Sequence, residues 1–171
     1  MGYPMEPIAS VMRAMVDYFA GDIRRINHFL KVYAFAKVIG ELEELPDDTQ
    51  TILELAALTH DIGIKVSERK YQSAAGHYQQ QEGPAEARGL LMPLGIGTQT
   101  VERVCWLIAH HHTYDNIGAL DYQILVEADF LVNIYEDAMS SEAVETIEKR
   151  IFRTAAGTAL LRSLYLRQQE C

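Results

Sequence analysis

Histidine and aspartate side chains interrupt apolar helical patterns at four places in this sequence. In the segment LELAALTHDIGI, apolar residues recur at helical spacing until His60 takes the next position on the same face, and Asp61 follows directly. A carboxylate beside an imidazole at the inner end of an apolar helix must be hydrogen-bonded, paired or bound to a cation, because an isolated charge there loses its hydration. The pair therefore predicts a polar or metal-binding centre inside the fold.

Three further polar residues lie on apolar helical faces in the same way: His28, His111 and Asp129. Each is three or four residues from apolar neighbours, a spacing that places side chains on one side of a helix. A single buried histidine is more often a core residue bonded to a carbonyl, but aspartate is almost never fully buried without a partner. Because one cation would satisfy the carboxylates and imidazoles together, a metal site is the economical interpretation.

Apolar residues recur at helical spacing through most of the chain, and no segment shows the alternation typical of a strand. The pattern predicts an all-α domain with an N-terminal helix and further helices over about 23–45, 47–60, 84–92, 98–112, 120–139 and from 141 to the end. Asp22 is a predicted N-cap, Ser140 or Ser141 is predicted to precede the last helix, Gly63 is a predicted C-cap, and Pro84 is predicted to lie in a first turn. Residues 65–83 are expected to form one long loop.

Length, composition and charge limit the classes of protein that fit. The chain has 171 residues with 49% hydrophobic character, which fits one compact domain with a real core. A net charge of −9 argues against an extended nucleic-acid interface or an anionic membrane surface. With no apolar run long enough for a bilayer and no signal-peptide layout, we expect a cytoplasmic protein. Cys105 and Cys171 are too few for a disulfide framework, and Cys105 is expected to pack in the core.

The ordered set of His28, the HDIG pair His60-Asp61, and Asp129 within EADFLVN resembles the H…HD…D signature of the HD-domain metal-dependent phosphohydrolase superfamily. The resemblance covers about residues 23–133, and it implies a compact helical bundle, with one HD domain spanning 1–171 and flanking helices at both ends. It also implies that these four residues bind a divalent metal. Mixed imidazole and carboxylate ligands suit iron, manganese, cobalt, nickel or zinc without choosing among them.

Some branches of this superfamily add a second metal, with the aspartate of the HD pair bridging the two ions. The resemblance therefore makes Asp61 a candidate bridging ligand and calls for further ligands between Asp61 and Asp129. In EGPAEA, Glu82 stands where two-metal relatives have a histidine, and His77 is the competing candidate from the expected loop. Either one or two ions are compatible with this pattern.

The run HHH supplies more imidazoles than a metal site needs. His111 fits the inward face, His110 could contact a substrate or a second metal, and His112 could cap the helix end through the helix dipole. Lys65, just after HDIG, is placed where related enzymes often present a lysine to phosphate, although a solvated loop lysine is the alternative. We therefore take Asp61, His110 and Lys65 as the catalytic candidates.

The resemblance implies hydrolysis of a phosphoester bond in a small phosphorylated substrate, with a nucleotide as the expected class. A metal-activated water would be the nucleophile, oriented by Asp61, while His110 or Lys65 contacts the phosphate. Two alternatives remain open: a di-iron oxygenase with the same ligands, and a nucleotide-sensing module without turnover. The oligomeric state is also open, a homodimer included.

Overall fold

The computed structural model describes residues 7–167, which fold into a helical bundle. The α-helices are α1 (Pro7–Tyr18), α2 (Ile23–Leu42), α3 (Asp47–Thr59), α4 (Ile64–Tyr71), α5 (Gly76–Leu91), α6 (Thr98–His110), α7 (Leu120–Glu136), α8 (Ser141–Ile151) and α9 (Ala155–Leu161). A 3-10 turn, Met92–Leu94, follows α5, and a π-helical turn, Arg162–Leu166, follows α9. No strand occurs within the described residues, which confirms the all-α prediction. None of these helices is long and apolar enough to cross a membrane.

Helix α3 lies at the centre of the bundle, in contact with α1, α2, α6 and α7. All residues of 53–59 are buried, so this helix is enclosed on every side rather than on one face. That packing explains why Leu55 and Leu58, outside the predicted stripe, are apolar as well. Because α3 ends inside the bundle, the residues that follow it, His60 and Asp61, are held in the interior.

Three mutually packed helices bring the central polar residues together. Helices α2, α3 and α7 all contact one another, and α7 is buried along most of its length. His28 is on the buried face of α2, and Asp129 is among the buried residues of α7. The pairwise packing therefore brings side chains from separate parts of the chain together next to the C-terminal end of α3.

Asp22 is an N-cap as predicted, and Ser140, one of the two residues expected before the last helix, is an N-cap as well. The Asp22 carboxylate accepts a hydrogen bond from the Arg25 backbone N–H at 3.1 Å, at the start of α2. The Ser140 hydroxyl accepts one from the Ala143 backbone N–H at 3.3 Å, at the start of α8. Each cap satisfies a backbone donor that the first helical turn leaves without a partner.

The prediction of one long loop over residues 65–83 is wrong. Helix α4 and the first half of α5 occupy most of this segment, and only residues 72–75 separate them. The polar composition arises because α4 buries Ile64, Val66 and Ser67 and turns its charged residues to solvent. An eight-residue helix has too few buried positions to stand out as a periodic pattern.

Gly63 is not a C-cap, since its φ of −68° is right-handed and α4 begins at the next residue. A Cβ atom at Gly63 would lie 2.7 Å from the Gln79 carbonyl oxygen and 2.8 Å from the Gly83 backbone nitrogen. Glycine is needed here because the backbone approaches α5 closely. This contact holds the His60-Asp61 turn against α5.

Pro84 lies inside α5 rather than in its first turn, because α5 begins at Gly76. A proline in a helix interior removes one backbone hydrogen bond, so the segment depends on packing for its stability. Helix α5 packs against both α4 and α6, and the Cys105 thiol donates to the Pro84 carbonyl at 3.3 Å. Tertiary contacts thus override the local signal for a helix start.

The segment after Ser140 is not one continuous helix. Helix α8 ends at Ile151, and Phe152 and Thr154 have extended backbone before α9 begins. The buried Glu127 carboxylate accepts hydrogen bonds from the backbone N–H groups of Arg153 at 2.6 Å and Thr154 at 3.0 Å. These bonds from α7 fix the bend, a long-range cause that the local pattern does not contain. Cys171 and the predicted end of the last helix lie outside the described residues.

Candidate metal centre

Four side chains from α2, the end of α3 and α7 meet in the interior. The Nε2 atom of His28 lies 3.2 Å from Nε2 of His60 and 3.2 Å from Oδ1 of Asp129. Oδ2 of Asp61 lies 3.5 Å from each of the same two nitrogens. Nε2 of His60 is 3.6 Å from the Asp129 carboxylate. The structure therefore brings His28, His60, Asp61 and Asp129 together, and we refer to them as the primary cluster.

A hydrogen bond donated by Nδ1 fixes the orientation of each histidine in the primary cluster. Nδ1 of His60 is 2.8 Å from the Ala57 carbonyl oxygen, and Nδ1 of His28 is 2.9 Å from Oε2 of Glu136. Both partners are acceptors, so each Nδ1 carries the hydrogen and donates it. The Nε2 lone pairs are then directed at the same point, as metal-ligating histidines require.

The separation of these atoms fits a bound cation. Two imidazole lone pairs 3.2 Å apart repel each other unless a proton or a metal ion lies between them. Nitrogen or oxygen ligands about 2.1 Å from a transition metal and at right angles are themselves about 3 Å apart. The spacing in the primary cluster is therefore that of ligands around one ion, and the donor set suits a divalent transition metal.

The electrostatic field of the cluster also favours positive charge at its centre. Burial alone would lower the pKa of His60, but the Asp61 and Asp129 carboxylates raise it to about 9. Burial would raise the pKa of Asp129, yet the adjacent imidazoles of His28 and His60 hold it well below the usual range. The carboxylates thus stay ionised in the interior, where a cation would balance their charge.

A second group of donors adjoins the first and shares Asp61 with it. Asp61, His111 and His112 each offer a ligand atom within 4.8 Å of one another. Nδ1 of His111 donates to the Ile108 carbonyl at 2.7 Å, while its buried Nε2 has no hydrogen-bond partner among residues 7–167. That nitrogen lies 3.6 Å from Oδ1 of Asp61. A buried acceptor without a partner is rare, and a cation held by this secondary cluster would satisfy it.

His112 is part of the secondary cluster, a role that the sequence does not predict. Its ring centre is 3.9 Å from that of His111, and its Nε2 is 3.4 Å from Oε1 of Gln79. Burial and the neighbouring His111 lower the pKa of His112 to about 4, so the ring is neutral and able to ligate at neutral pH. The chain turns after α6 ends at His110, which is why consecutive residues of the HHH run can face the same site.

Glu82 and His77, the candidate extra ligands, have other surroundings. The Glu82 carboxylate accepts hydrogen bonds from the Lys70 ammonium group at 2.6 Å and the Tyr71 hydroxyl at 2.7 Å. His77 is exposed, with its ring centre 3.9 Å from that of Tyr78. Within residues 7–167, neither residue belongs to a group of donors close enough to share an ion. The structure thus places His112, rather than Glu82 or His77, beside Asp61 and His111.

His110 and Lys65 are also engaged away from the clusters. The His110 ring stacks on Trp106 with centres 4.1 Å apart, and its Nδ1 donates to the Trp106 carbonyl at 2.6 Å. The Lys65 ammonium group donates to the Tyr18 carbonyl at 2.6 Å and lies over the Tyr18 ring. Neither side chain belongs to a group of candidate metal ligands among residues 7–167.

Glu136 is a further residue of the site that the sequence analysis does not single out. One oxygen of its carboxylate accepts a hydrogen bond from Nδ1 of His28, and the other accepts one from the Lys31 ammonium group at 2.5 Å. Burial would raise the pKa of Glu136, but the hydrogen bonds from Lys31 and His28 lower it. Glu136 follows Asp129 by seven residues, two helical turns, so the same face of α7 carries the ligand and the residue that orients its neighbour.

Comparisons with known proteins identify the family and the fold of this chain. The family model described as HD domain matches residues 25–155. The fold is similar to the crystal structure of a predicted HD superfamily hydrolase from an uncultured Thermotogales bacterium, with a TM-score of 0.66 and 21% sequence identity over 92% of this chain and 84% of that one. At that identity the likeness shows a shared fold. A search of curated proteins found no match to this chain.

The chain belongs to the HD-domain family. The family match covers most of the sequence and includes all four residues of the primary cluster. The resemblance stated from the sequence is thereby confirmed, together with the helical fold. The grouped histidines and aspartates could hold a metal ion, as the resemblance implies.

Proposed function

We propose that this protein is a metal-dependent phosphohydrolase that cleaves a phosphoester bond in a small phosphorylated substrate, with a nucleotide as the expected class. The observation that carries the proposal is the position of Asp61, whose two oxygens face different clusters. A carboxylate shared in this way can hold two ions next to each other, and paired ions are a common arrangement for phosphoryl chemistry.

The primary cluster would hold one divalent ion of iron, manganese, cobalt, nickel or zinc. Asp61, His111 and His112 would hold a second. When bound, such ions acidify water and neutralise the charge that develops on a phosphoryl group. Because every imidazole of the primary cluster is oriented through Nδ1, the site is organised before an ion or a substrate arrives.

The protein's own groups supply orientation and hydrogen bonds. Asp61 belongs to both clusters, so it would accept a hydrogen bond from the attacking water and align it with the phosphoryl group. The Tyr114 hydroxyl lies 3.5 Å from Nδ1 of His112. Partial burial and the charges of Asp129 and Asp61 raise the pKa of Tyr114 to about 12. It therefore stays protonated at neutral pH and can donate to a phosphate oxygen.

Metal analysis followed by a phosphate-release screen tests this proposal. The protein is purified without added metal, its metal content is measured, and nucleoside phosphates and p-nitrophenyl phosphate are then assayed with the ion found. We expect one or two transition-metal ions per chain and release of inorganic phosphate from at least one substrate class. Oxygen uptake by iron-loaded protein without phosphate release would support the oxygenase alternative instead. Nucleotide binding without any turnover would support a sensing module, and either result would contradict the proposal.

A further inference from the structure

A groove begins at the secondary cluster and extends to α8. Its volume is about 560 Å³, and its lining includes His112, Tyr114, Phe130 and Arg150. Pockets that bind small organic molecules commonly have volumes of about 300–1,000 Å³. The groove is therefore large enough for a substrate of nucleotide size. His112, a candidate metal ligand, is part of its lining.

Two observations tie the groove to the metal centre. His112 belongs both to the groove lining and to the secondary cluster with Asp61. Tyr114, also in the lining, has its hydroxyl 3.5 Å from Nδ1 of His112. A molecule bound in the groove would thus extend directly from the position where a phosphoryl group meets the clusters.

The walls of the groove suit an organic body that carries an apolar or aromatic part. Phe130, Ile147 and Ile151 contribute partly buried apolar surface. The ring centres of Tyr114 and Phe130 are 5.1 Å apart and the ring planes are inclined at 58°, so the two rings form one continuous aromatic surface. Aromatic surfaces of this kind bind flat rings by offset or edge-to-face contact.

Arg150, from α8, contributes a positive charge to the lining of the same groove. It is exposed, and no carboxylate among residues 7–167 forms an ion pair with it. It also lines an adjoining cavity of about 260 Å³ together with Arg153. A guanidinium group without a carboxylate partner can bind a phosphate or carboxylate group through two parallel hydrogen bonds.

We propose that this groove binds the organic body of the substrate and that Arg150 binds a second anionic group on it. The preferred substrates are then organic phosphoesters that carry another phosphate or carboxylate besides the phosphoryl group that is hydrolysed. This inference rests on the proposed function, because it assumes that the reacting phosphoryl group lies at the clusters. It assigns a specificity-determining role to α8, which lies after the segment that carries the HD signature.

The test compares Arg150→Gln with wild-type protein on two probes, AMP and adenosine 3′,5′-bisphosphate. KM and kcat are measured with metal-loaded full-length protein. We expect KM for the bisphosphate to rise by about tenfold more than KM for AMP, because a hydrogen-bonded charge pair to the second phosphate is lost. Arg150→Lys keeps the charge and should recover part of the loss. Lys149→Gln is the matched control, since Lys149 is the preceding exposed cation of α8 and does not line the groove.

Equal changes in KM for the two probes, or none, would overturn the inference, and circular dichroism of the variants excludes misfolding as the cause of a change. If wild-type protein releases phosphate from neither probe, the dissociation constants of both are measured by calorimetry with the metal-loaded protein. The same tenfold difference is then expected in Kd. This measurement separates failure of the proposed function from failure of the groove assignment. If the Kd values show no such difference, only the groove assignment is overturned.

Discussion

Three histidines of the site are oriented by hydrogen bonds from Nδ1, the ring nitrogen that does not face the clusters. His60 and His111 donate from Nδ1 to the backbone carbonyls three residues earlier, Ala57 and Ile108, in the same geometry. Each therefore uses its own helix to fix its tautomer. His28 is different, because its Nδ1 depends on a side chain, Glu136, from another helix. That dependence can be tested by substitution.

Glu136→Gln should weaken metal binding while the helical fold is retained. The amide can still accept from Nδ1 of His28, but it lacks the charge that supports the imidazole as a ligand and pairs with Lys31. Residues that orient metal ligands typically contribute about 10–100-fold to metal affinity or activity. Metal affinity is measured by competition with a chelator, and Asp137→Asn, at the next and exposed position, is the control. Equal affinities for the two variants would show that Glu136 has only a structural role.

His112→Gln and Glu82→Gln distinguish the two assignments of the secondary ligand. If His112 ligates the second ion with Asp61 and His111, its replacement should reduce the metal content from two ions toward one. Glu82→Gln should leave the content unchanged, because Glu82 is bonded to Lys70 and Tyr71. Metal content is measured by elemental analysis of each variant. A loss of metal in Glu82→Gln alone would restore the assignment made from the sequence.

At the residue scale, the sequence predicts His28, His60 and Asp129 because each is a polar residue on an apolar helical face, and Asp61 because it directly follows His60. It does not predict His112, since consecutive histidines cannot share a face in a regular helix, and only the turn after α6 brings His111 and His112 together. Glu136 is two turns from Asp129 on the same face, a signal that is present but is weak at a helix end.

At the scale of the helices, the decisive feature is the close contact between the HD turn and α5. Gly63 faces the backbone of Gln79 and Gly83, and a Cβ atom at Gly83 would lie 2.6 Å from the Ile108 side chain. Glycines at these positions let the start of α4, the middle of α5 and α6 approach one another. Since His60 and Asp61 precede Gly63 and His111 follows α6, this packing sets the distance between the two clusters.

Gly63→Ala should therefore destabilise the protein, whereas Gly89→Ala should not. The new methyl group at Gly63 would meet backbone atoms under 3 Å away, which cannot rotate aside, and overpacking of this kind costs about 1–3 kcal/mol. Gly89 is exposed in α5, and no atom of residues 7–167 would lie within 4 Å of a Cβ there, so alanine should stabilise the helix by up to about 1 kcal/mol. Both free energies of unfolding are measured by urea denaturation. Similar values for the two variants would contradict this account of the packing.

The helices most accurately predicted are those with long buried faces. Helix α3 begins at Asp47 and α6 begins at Thr98, as their patterns indicate, because apolar periodicity and start signals coincide there. Helix α4 is not predicted, since its buried face comprises Ile64, Val66 and Ser67 among charged residues. The start of α5 is not predicted either, because Pro84 is a strong local signal that packing against α4 and α6 overrides.

At the scale of the whole molecule, the candidate metal centre joins helices that are distant in sequence. His28 and Asp129 are separated by most of the recognised domain, and the centre connects α2, α7 and the turn after α3. A metal ion bound here would bind the folded state and not the unfolded chain. Its free energy of binding would therefore add to the stability of the whole bundle.

Removal of metal should lower the melting temperature of the protein. An ion present at about 100 times its dissociation constant adds roughly 2.7 kcal/mol, which corresponds to a shift of roughly 5–10 °C for a domain of this size. Differential scanning calorimetry before and after dialysis against EDTA measures the shift, and re-addition of the ion is the control for damage during dialysis. A melting temperature that does not respond to removal of a tightly bound ion would contradict the placement of that ion in the bundle.

The most direct test of the central claim is the Asp61→Asn variant, with metal content, helicity and phosphate release measured on the same preparation. Asparagine keeps the shape and one oxygen of Asp61 but removes the charge that both clusters share. We predict a loss of metal, phosphate release lower by on the order of a hundredfold, and nearly unchanged circular dichroism, because helix packing supplies the stability. An Asp61→Asn protein that hydrolyses its substrate at a near-normal rate would contradict the proposal that this centre performs the reaction.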